Sequence, residues 1–176
     1  MEHSPLVEIK PLSTAMPERV EALLDAAFGT DRHGRTAYRM RQGCAALPAL
    51  SFSAWDDARL IGTLQCWPVA LERTSGERVP LVMVGPVAVE PALQRSGTGR
   101  ALMDAMMDAA ALYADGALMM IGDPEYYGRF WGFAADATGE WVVPGPVEQR
   151  RLLARGANGH AVPDGAGAIT PDPARS

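Results

Sequence analysis

Apolar and polar positions along the chain separate strands from helices. Leu81–Val89, L-V-M-V-G-P-V-A-V, carries no charge and is rich in β-branched residues, which predicts a strand buried on both faces. Gly85-Pro86 interrupts it, and proline has no N–H for a sheet ladder, so a bulge with locally lost pairing is expected there. Beyond Pro91, Leu102, Met106, Ala110 and Tyr113 recur near the helical period and predict a helix starting near Gly97 to Gly99.

The rest of the chain yields to the same reading. Leu6–Ile9 alternates as a first strand. Ser13 or Thr14 is expected to cap a helix with Pro17 in its first turn and Val20, Leu23, Leu24, Ala27 and Phe28 on one face, stopped by Gly29. A second short helix is expected over Thr36–Gln42. Leu50, Phe52 and Ala54, the turn Asp56-Asp57, then Leu60, Leu64 and Cys66 make a β-hairpin, and Thr74–Glu77 turns into the bulged strand. After the long helix, Asp115-Gly116 leads into a buried strand, Ala117–Ile121; strand, helix and strand form a right-handed crossover with parallel strands. Pro124 opens a short helix and Trp141–Val143 makes a last strand. Residues 156–176, rich in Ala, Gly and Pro, read as an extension or loosely held tail behind a single domain spanning 1–155. The fold class is α/β, with a mixed sheet: antiparallel N-terminal strands, a bulged central strand and a β-α-β crossover.

Composition narrows the function. With 176 residues, 48% hydrophobic and 21% charged, the chain suits one soluble domain with a proper core. A net charge of -5 without a basic cluster argues against nucleic acid and tilts toward a cationic amine as ligand. Cys44 and Cys66 stand alone and histidine is scarce (His3, His33, His160), so no metal is expected. No signal peptide or membrane-length apolar run is visible, which makes the cytoplasm the expected location and a membrane partner unexpected.

Between the bulged strand and the long helix lies Gln94-Arg95-Ser96-Gly97-Thr98-Gly99-Arg100. Unpartnered amides and the dipole at a helix start suit a phosphate, glycines let it approach, and Arg95 and Arg100 add charge. From Leu6 to Val143 the chain resembles the GNAT superfamily of acyl-CoA-dependent N-acetyltransferases, on three segments: V-A-V-E-P (Val87–Pro91), Q-R-S-G-T-G (Gln94–Gly99) and Y-Y-G-R-F-W-G-F (Tyr126–Phe133).

The resemblance implies a GNAT-like fold, acetyl-CoA as cosubstrate and an amine acceptor. It further implies a pantetheine arm bound to main-chain atoms of Val87, Ala88 and Val89 in a V-shaped gap, and Tyr127 beside the cofactor as general acid. Tyr127 lies five residues before Gly132, where the family pattern has four, so Tyr126 or a packing role stays open. Direct attack in a ternary complex is expected, since no cysteine or serine stands beside a base. For the base, Glu90 at the strand end leads, followed by Asp123 or a water chain. By resemblance the loop Thr30–Arg35 borders the acceptor, and His33 beside Asp31 is either a base or solvated charge. A catalytically degenerate acyl-CoA-binding or sensor module, and a different nucleotide- or phosphate-binding domain, are the competing classes. An edge strand after Trp141 is able to pair across a homodimer.

Overall fold

A computed structural model describes residues 7–94 and 96–176. Its elements are, in order, β1 (Glu8–Pro11), α1 (Pro17–Phe28), α2 (Thr36–Arg39), β2 (Phe52–Asp56), β3 (Arg59–Glu72), β4 (Arg78–Val89), α3 (Thr98–Tyr113), β5 (Ala117–Ile121), α4 (Pro124–Trp131), β6 (Trp141–Val142), β7 (Leu152–Arg155) and β8 (Gly167–Pro171). They build one mixed sheet of eight strands, ordered β1-β2-β3-β4-β5-β7, with β8 paired to β3 and to β6. Among the described residues no helix is long and apolar enough to cross a membrane.

The hairpin, the antiparallel β3–β4 pair and the parallel β4–β5 crossover form as the apolar pattern predicts. Helix α3 lies on one face. Leu102, Met103, Met106 and Ala110 are buried there against Ile61, Leu64, Val82 and Leu118. Burying each of the larger side chains contributes about 1.5–3 kcal/mol. Tyr113, expected on this face, is exposed at the last turn, and Met103 takes the buried place. The other face is covered in two parts. α1 places Val20, Leu23 and Leu24 against Trp55, Leu60 and Ala88, while Met40, Trp67, Met83, Met119, Trp141, Leu152 and Ile169 form a second cluster.

Local expectations are corrected at several ends. Strand β1 begins at Glu8, and Leu6 lies outside the described residues. Ser13 and Thr14 belong to a 3-10 turn over Leu12–Thr14, and Met16 occupies the cap of α1 without a side-chain bond. Proline at the first helical position fixes the start instead. Helix α2 ends at Arg39, short of Gln42.

The largest correction concerns the C-terminus, where the expected loose tail is instead tied down. β7 pairs antiparallel with β5, and β8 pairs with the second half of β3 from Val69↔Pro171 to Glu72↔Ala168. Trp141–Val142 is therefore not the last strand: it lies parallel on β8. Arg175 then locks the end, donating to Val69 O at 2.7 Å, Leu81 O at 3.2 Å and both carboxylate oxygens of Asp115 at 2.7 and 3.0 Å.

Candidate active site

The site begins with a register shift. Leu64 faces Val87 and Cys66 faces Val84, so Gly85 and Pro86 together stand opposite Gln65: one extra residue on β4. On its other edge β4 pairs with β5 only from Leu81↔Ala117 to Met83↔Met119. Past Met83 the two parallel strands share no ladder, and the backbone from Val84 to Val89 is released on that edge. Main-chain groups left out of a ladder need partners, which makes the opening a place for an extended polar ligand. Ala88 is buried at 1% exposure by its packing toward α1, so only its main chain could serve a ligand.

The opening widens into a groove of about 950 Å³. Val84–Val87 form one side, Met120–Asp123 with Tyr126 and Tyr127 the second, and residues from α2 and from 146–151 a third. Tyr127 packs its ring on Gly122, where a Cβ would meet Tyr127 Cδ2 at 2.7 Å; glycine at the end of β5 gives the phenol its seat. Burial, with the nearby Tyr126 and Asp123, pushes the Tyr127 hydroxyl up to about 12, so it is a protonated donor at neutral pH. Tyr126 lines the same groove and stacks edge-on to Tyr127, Phe130 and Trp131 at 5.0–5.3 Å. The Trp131 indole N–H donates to Asp104 Oδ1 at 2.9 Å, pinning α4 to α3.

The residues expected to cradle a phosphate follow the far end of β4. Gly97 caps α3 with φ +91°, a left-handed conformation, and a Cβ there would meet nothing within 4 Å. The helix start is thus open to solvent, and the first-turn amides of Thr98, Gly99 and Arg100 have no acceptor within the helix. Thr98 is buried at 1% against the sheet and its hydroxyl bonds Ser96 Oγ at 2.8 Å, which fixes the turn. Gln94 and Arg100 are exposed, and the Arg100 guanidinium stacks on Phe130 at 4.2 Å. Arg95 lies outside the described residues.

Other candidates stand elsewhere. Glu90 is ion-paired with Arg59 on the β2–β3 hairpin and does not line the groove. Asp123 does line it, but interaction with Glu125, through its side chain and then its backbone N–H, holds the Asp123 carboxyl below the usual range. His33 is exposed and 3.4 Å from Arg32 Nη1. Among the described residues no group of three or more His, Cys, Asp or Glu could hold a metal.

Sequence reasoning missed the third wall. Thr36 Oγ1 donates to Pro146 O at 2.8 Å and Arg39 Nη1 to Pro144 O at 3.4 Å, docking a C-terminal segment on α2. Arg41, Glu148 and Arg151 thereby reach the groove. They are separated by about a hundred residues of chain and belong to no motif, so nothing local could have signalled them.

Comparison with known proteins accords with this geometry. The model of the acetyltransferase (GNAT) domain matches residues 8–134. An uncharacterised N-acetyltransferase of Escherichia coli K12, YhbS, is 28% identical over 112 residues, an alignment covering 63% of this chain and 64% of that protein's length. Over 98% of this chain and 93% of the other, the fold superposes on a GNAT family N-acetyltransferase (YhbS) from Escherichia coli in complex with CoA, with TM-score 0.70 and 22% identity. A GNAT family acetyltransferase from Brucella melitensis in complex with acetyl-CoA gives TM-score 0.65 and 22% identity, over 99% of this chain and all of that one.

Proposed function

Because the chain belongs to the GNAT acetyltransferase family, we propose that it transfers an acetyl group from acetyl-CoA to a primary amine by direct attack in a ternary complex. The observation that carries this reading is the early end of the β4–β5 ladder at Met83↔Met119, immediately before the bulge. It leaves a free main-chain edge between an open helix start and a buried phenol. Similar folds crystallised with CoA and acetyl-CoA support the choice of cosubstrate.

The diphosphate takes the α3 start, on the amides of Ser96–Arg100 with the exposed Gln94 and Arg100 side chains at its rim. The pantetheine arm runs along the released edge beside Val87, Ala88 and Val89, and the thioester reaches the bulge. There an amine enters from the α2 side of the groove and attacks the carbonyl carbon. A main-chain N–H of Val87 or Val89 stabilises the tetrahedral oxyanion, and the Tyr127 hydroxyl protonates the departing thiolate. The ammonium proton of the adduct leaves through solvent at the groove mouth, since Glu90 is engaged by Arg59 and Asp123 is a weakened base.

The experiment is CoA release from acetyl-CoA across a panel of amines, run alongside thermal shift with acetyl-CoA, CoA and ATP. Turnover with at least one amine and stabilisation by CoA ligands over ATP are expected. Stabilisation by acetyl-CoA without turnover on any amine would instead assign a binding or sensor module, a reading motivated by the extra residue between Tyr127 and Gly132.

A further inference from the structure

Among the described residues two arginines are buried almost completely, and they are treated oppositely. Arg32, 2% exposed, is fully answered: Asp25 Oδ1 at 3.0 Å, Glu21, and the Tyr38 hydroxyl at 2.9 Å all accept from it. Arg41, 8% exposed, has no ion pair among the described residues, and its one side-chain acceptor is the neutral Gln65 Oε1 at 3.3 Å. Tyr38 and Trp67 each lie 3.9 Å from its guanidinium, ring to cation. Burial lowers the Arg41 pKa to about 10, offset in part by Tyr38 and by Glu21, which makes no ion pair with it, and this still leaves a cation at neutral pH. A desolvated cation without a fixed anion is costly, and a fold that pairs Arg32 so thoroughly has the means to pair Arg41.

Arg41 lines the groove on the acceptor side, where Arg35 and Arg151 also face, with Glu148 as the wall's one carboxylate among three arginines. The only buried side-chain polar atoms without partners among the described residues are Thr63 Oγ1 and Trp141 Nε1. The guanidinium nitrogens that do not bond Gln65 therefore keep solvent contact. The stack also connects to the reaction centre: the Trp67 indole that covers Arg41 donates its N–H to Gly85 O, inside the bulge, at 2.9 Å. A single side chain thus separates the unanswered cation from the strand distortion where the thioester would lie. An acceptor that filled both places would carry an anion a short distance from its amine.

We propose that the acceptor is a small amine bearing a carboxylate, of the α-amino-acid class, and that Arg41 is the specificity-determining residue that receives the carboxylate. This rests on the transferase reading of the groove. The expected Arg–carboxylate contact is charge-assisted and planar, with the aromatic sandwich holding the guanidinium edge toward the ligand.

Matched pairs that differ only by the α-carboxylate test it on the unmodified protein: phenylalanine against phenethylamine, leucine against isopentylamine, lysine against cadaverine. At least one amino acid should exceed its decarboxylated partner in kcat/KM by about tenfold or more. Arg41→Met should remove that preference through the amine KM, keeping the acetyl-CoA KM within about twofold, and Arg41→Lys should restore part of it. Equal or better turnover of the decarboxylated member in every pair overturns the proposal, as does an unchanged preference in a folded Arg41→Met protein. Should no amine be turned over, the transferase reading falls by itself. Calorimetry of the same pairs against the CoA-saturated protein then decides the carboxylate preference: tighter amino-acid binding that Arg41→Met abolishes supports it, and no preference overturns it.

Discussion

Tyr127 shows how little of a side chain's role resides in the side chain. Its hydroxyl is ordinary; the Gly122 seat and burial on α4 make it a donor that stays protonated well above neutrality. Tyr127→Phe should lower kcat by about a hundredfold, the usual value of a general acid, with the KM for acetyl-CoA changed by less than about threefold. Unchanged turnover in that variant would leave Tyr127 as packing. The raised pKa has a sign that kinetics can read. The acid form persists as pH rises and is lost only on approaching 12, so kcat/KM should climb with deprotonation of the amine and show no descending limb below about pH 10. A fall between pH 8 and 9 in a pH–rate series would assign the proton to another group. A Cβ at Gly122 would collide with the Tyr127 ring at 2.7 Å, so Gly122→Ala should mimic Tyr127→Phe while acetyl-CoA binding persists.

Two elements act as a pair, and each does what neither sequence segment could do alone. The bulge in β4 ends the ladder with β5, and α3 begins where the diphosphate of a ligand lying in that opening would reach. Gly97 is the hinge between them, at φ +91° with open space above it. A β-branched residue there is strained regardless of space, at a cost of about 1–2 kcal/mol, and its side chain would occupy the open space proposed for the phosphates. Gly97→Val should raise the acetyl-CoA Kd by about tenfold or more and leave kcat at saturation within about threefold. Titration calorimetry of the two proteins checks this, and an unchanged Kd would move the phosphates elsewhere.

For the whole molecule, the C-terminal segment is a clasp. β8 covers the half of β3 that β2 does not reach, and Arg175 ties the chain end to Val69, Leu81 and Asp115. Arg175→Met leaves two strand carbonyls without their donor and should cost about 2 kcal/mol, roughly 4–8 °C in Tm for a chain of this size. Part of the clasp titrates. The hydrogen bond from Arg175, ahead of their mutual attraction, holds Asp115 below the ordinary carboxylate range. A carboxyl with a lowered folded pKa binds fewer protons folded than unfolded. Its contribution is therefore present above the unfolded value of about 3.9 and is lost as pH falls through the folded one. Asp115 is 54% exposed, so solvent screening keeps this share under about 1 kcal/mol. Asp115→Asn should melt slightly below the wild type at pH 7, and the gap should narrow as pH falls below the ordinary carboxylate range; an equal gap at pH 7 and pH 2 would disprove the linkage. Whole-molecule charge and local charge differ: the chain carries a net -5, whereas the groove brings Arg35, Arg41 and Arg151 together with Asp123 and Glu148.

What the sequence determined by itself is whatever rests on neighbours along the chain. The apolar run with Gly85-Pro86, the glycine turn at Gly97 and the helix behind it announce strand, bulge and helix start through local backbone rules. These suffice for the sheet's centre and for the glycine turn that opens α3. The strands over 152–155 and 167–171 were illegible because their pairing partners are distant, and the second lies in a stretch rich in Ala, Gly and Pro. Whether Glu90 faces the groove or Arg59, and whether Arg41 finds an anion, was settled only when a hairpin, a short helix and the chain's last third came together. Charge pairing depends on which surfaces meet in space, and residue order does not encode that in any short stretch.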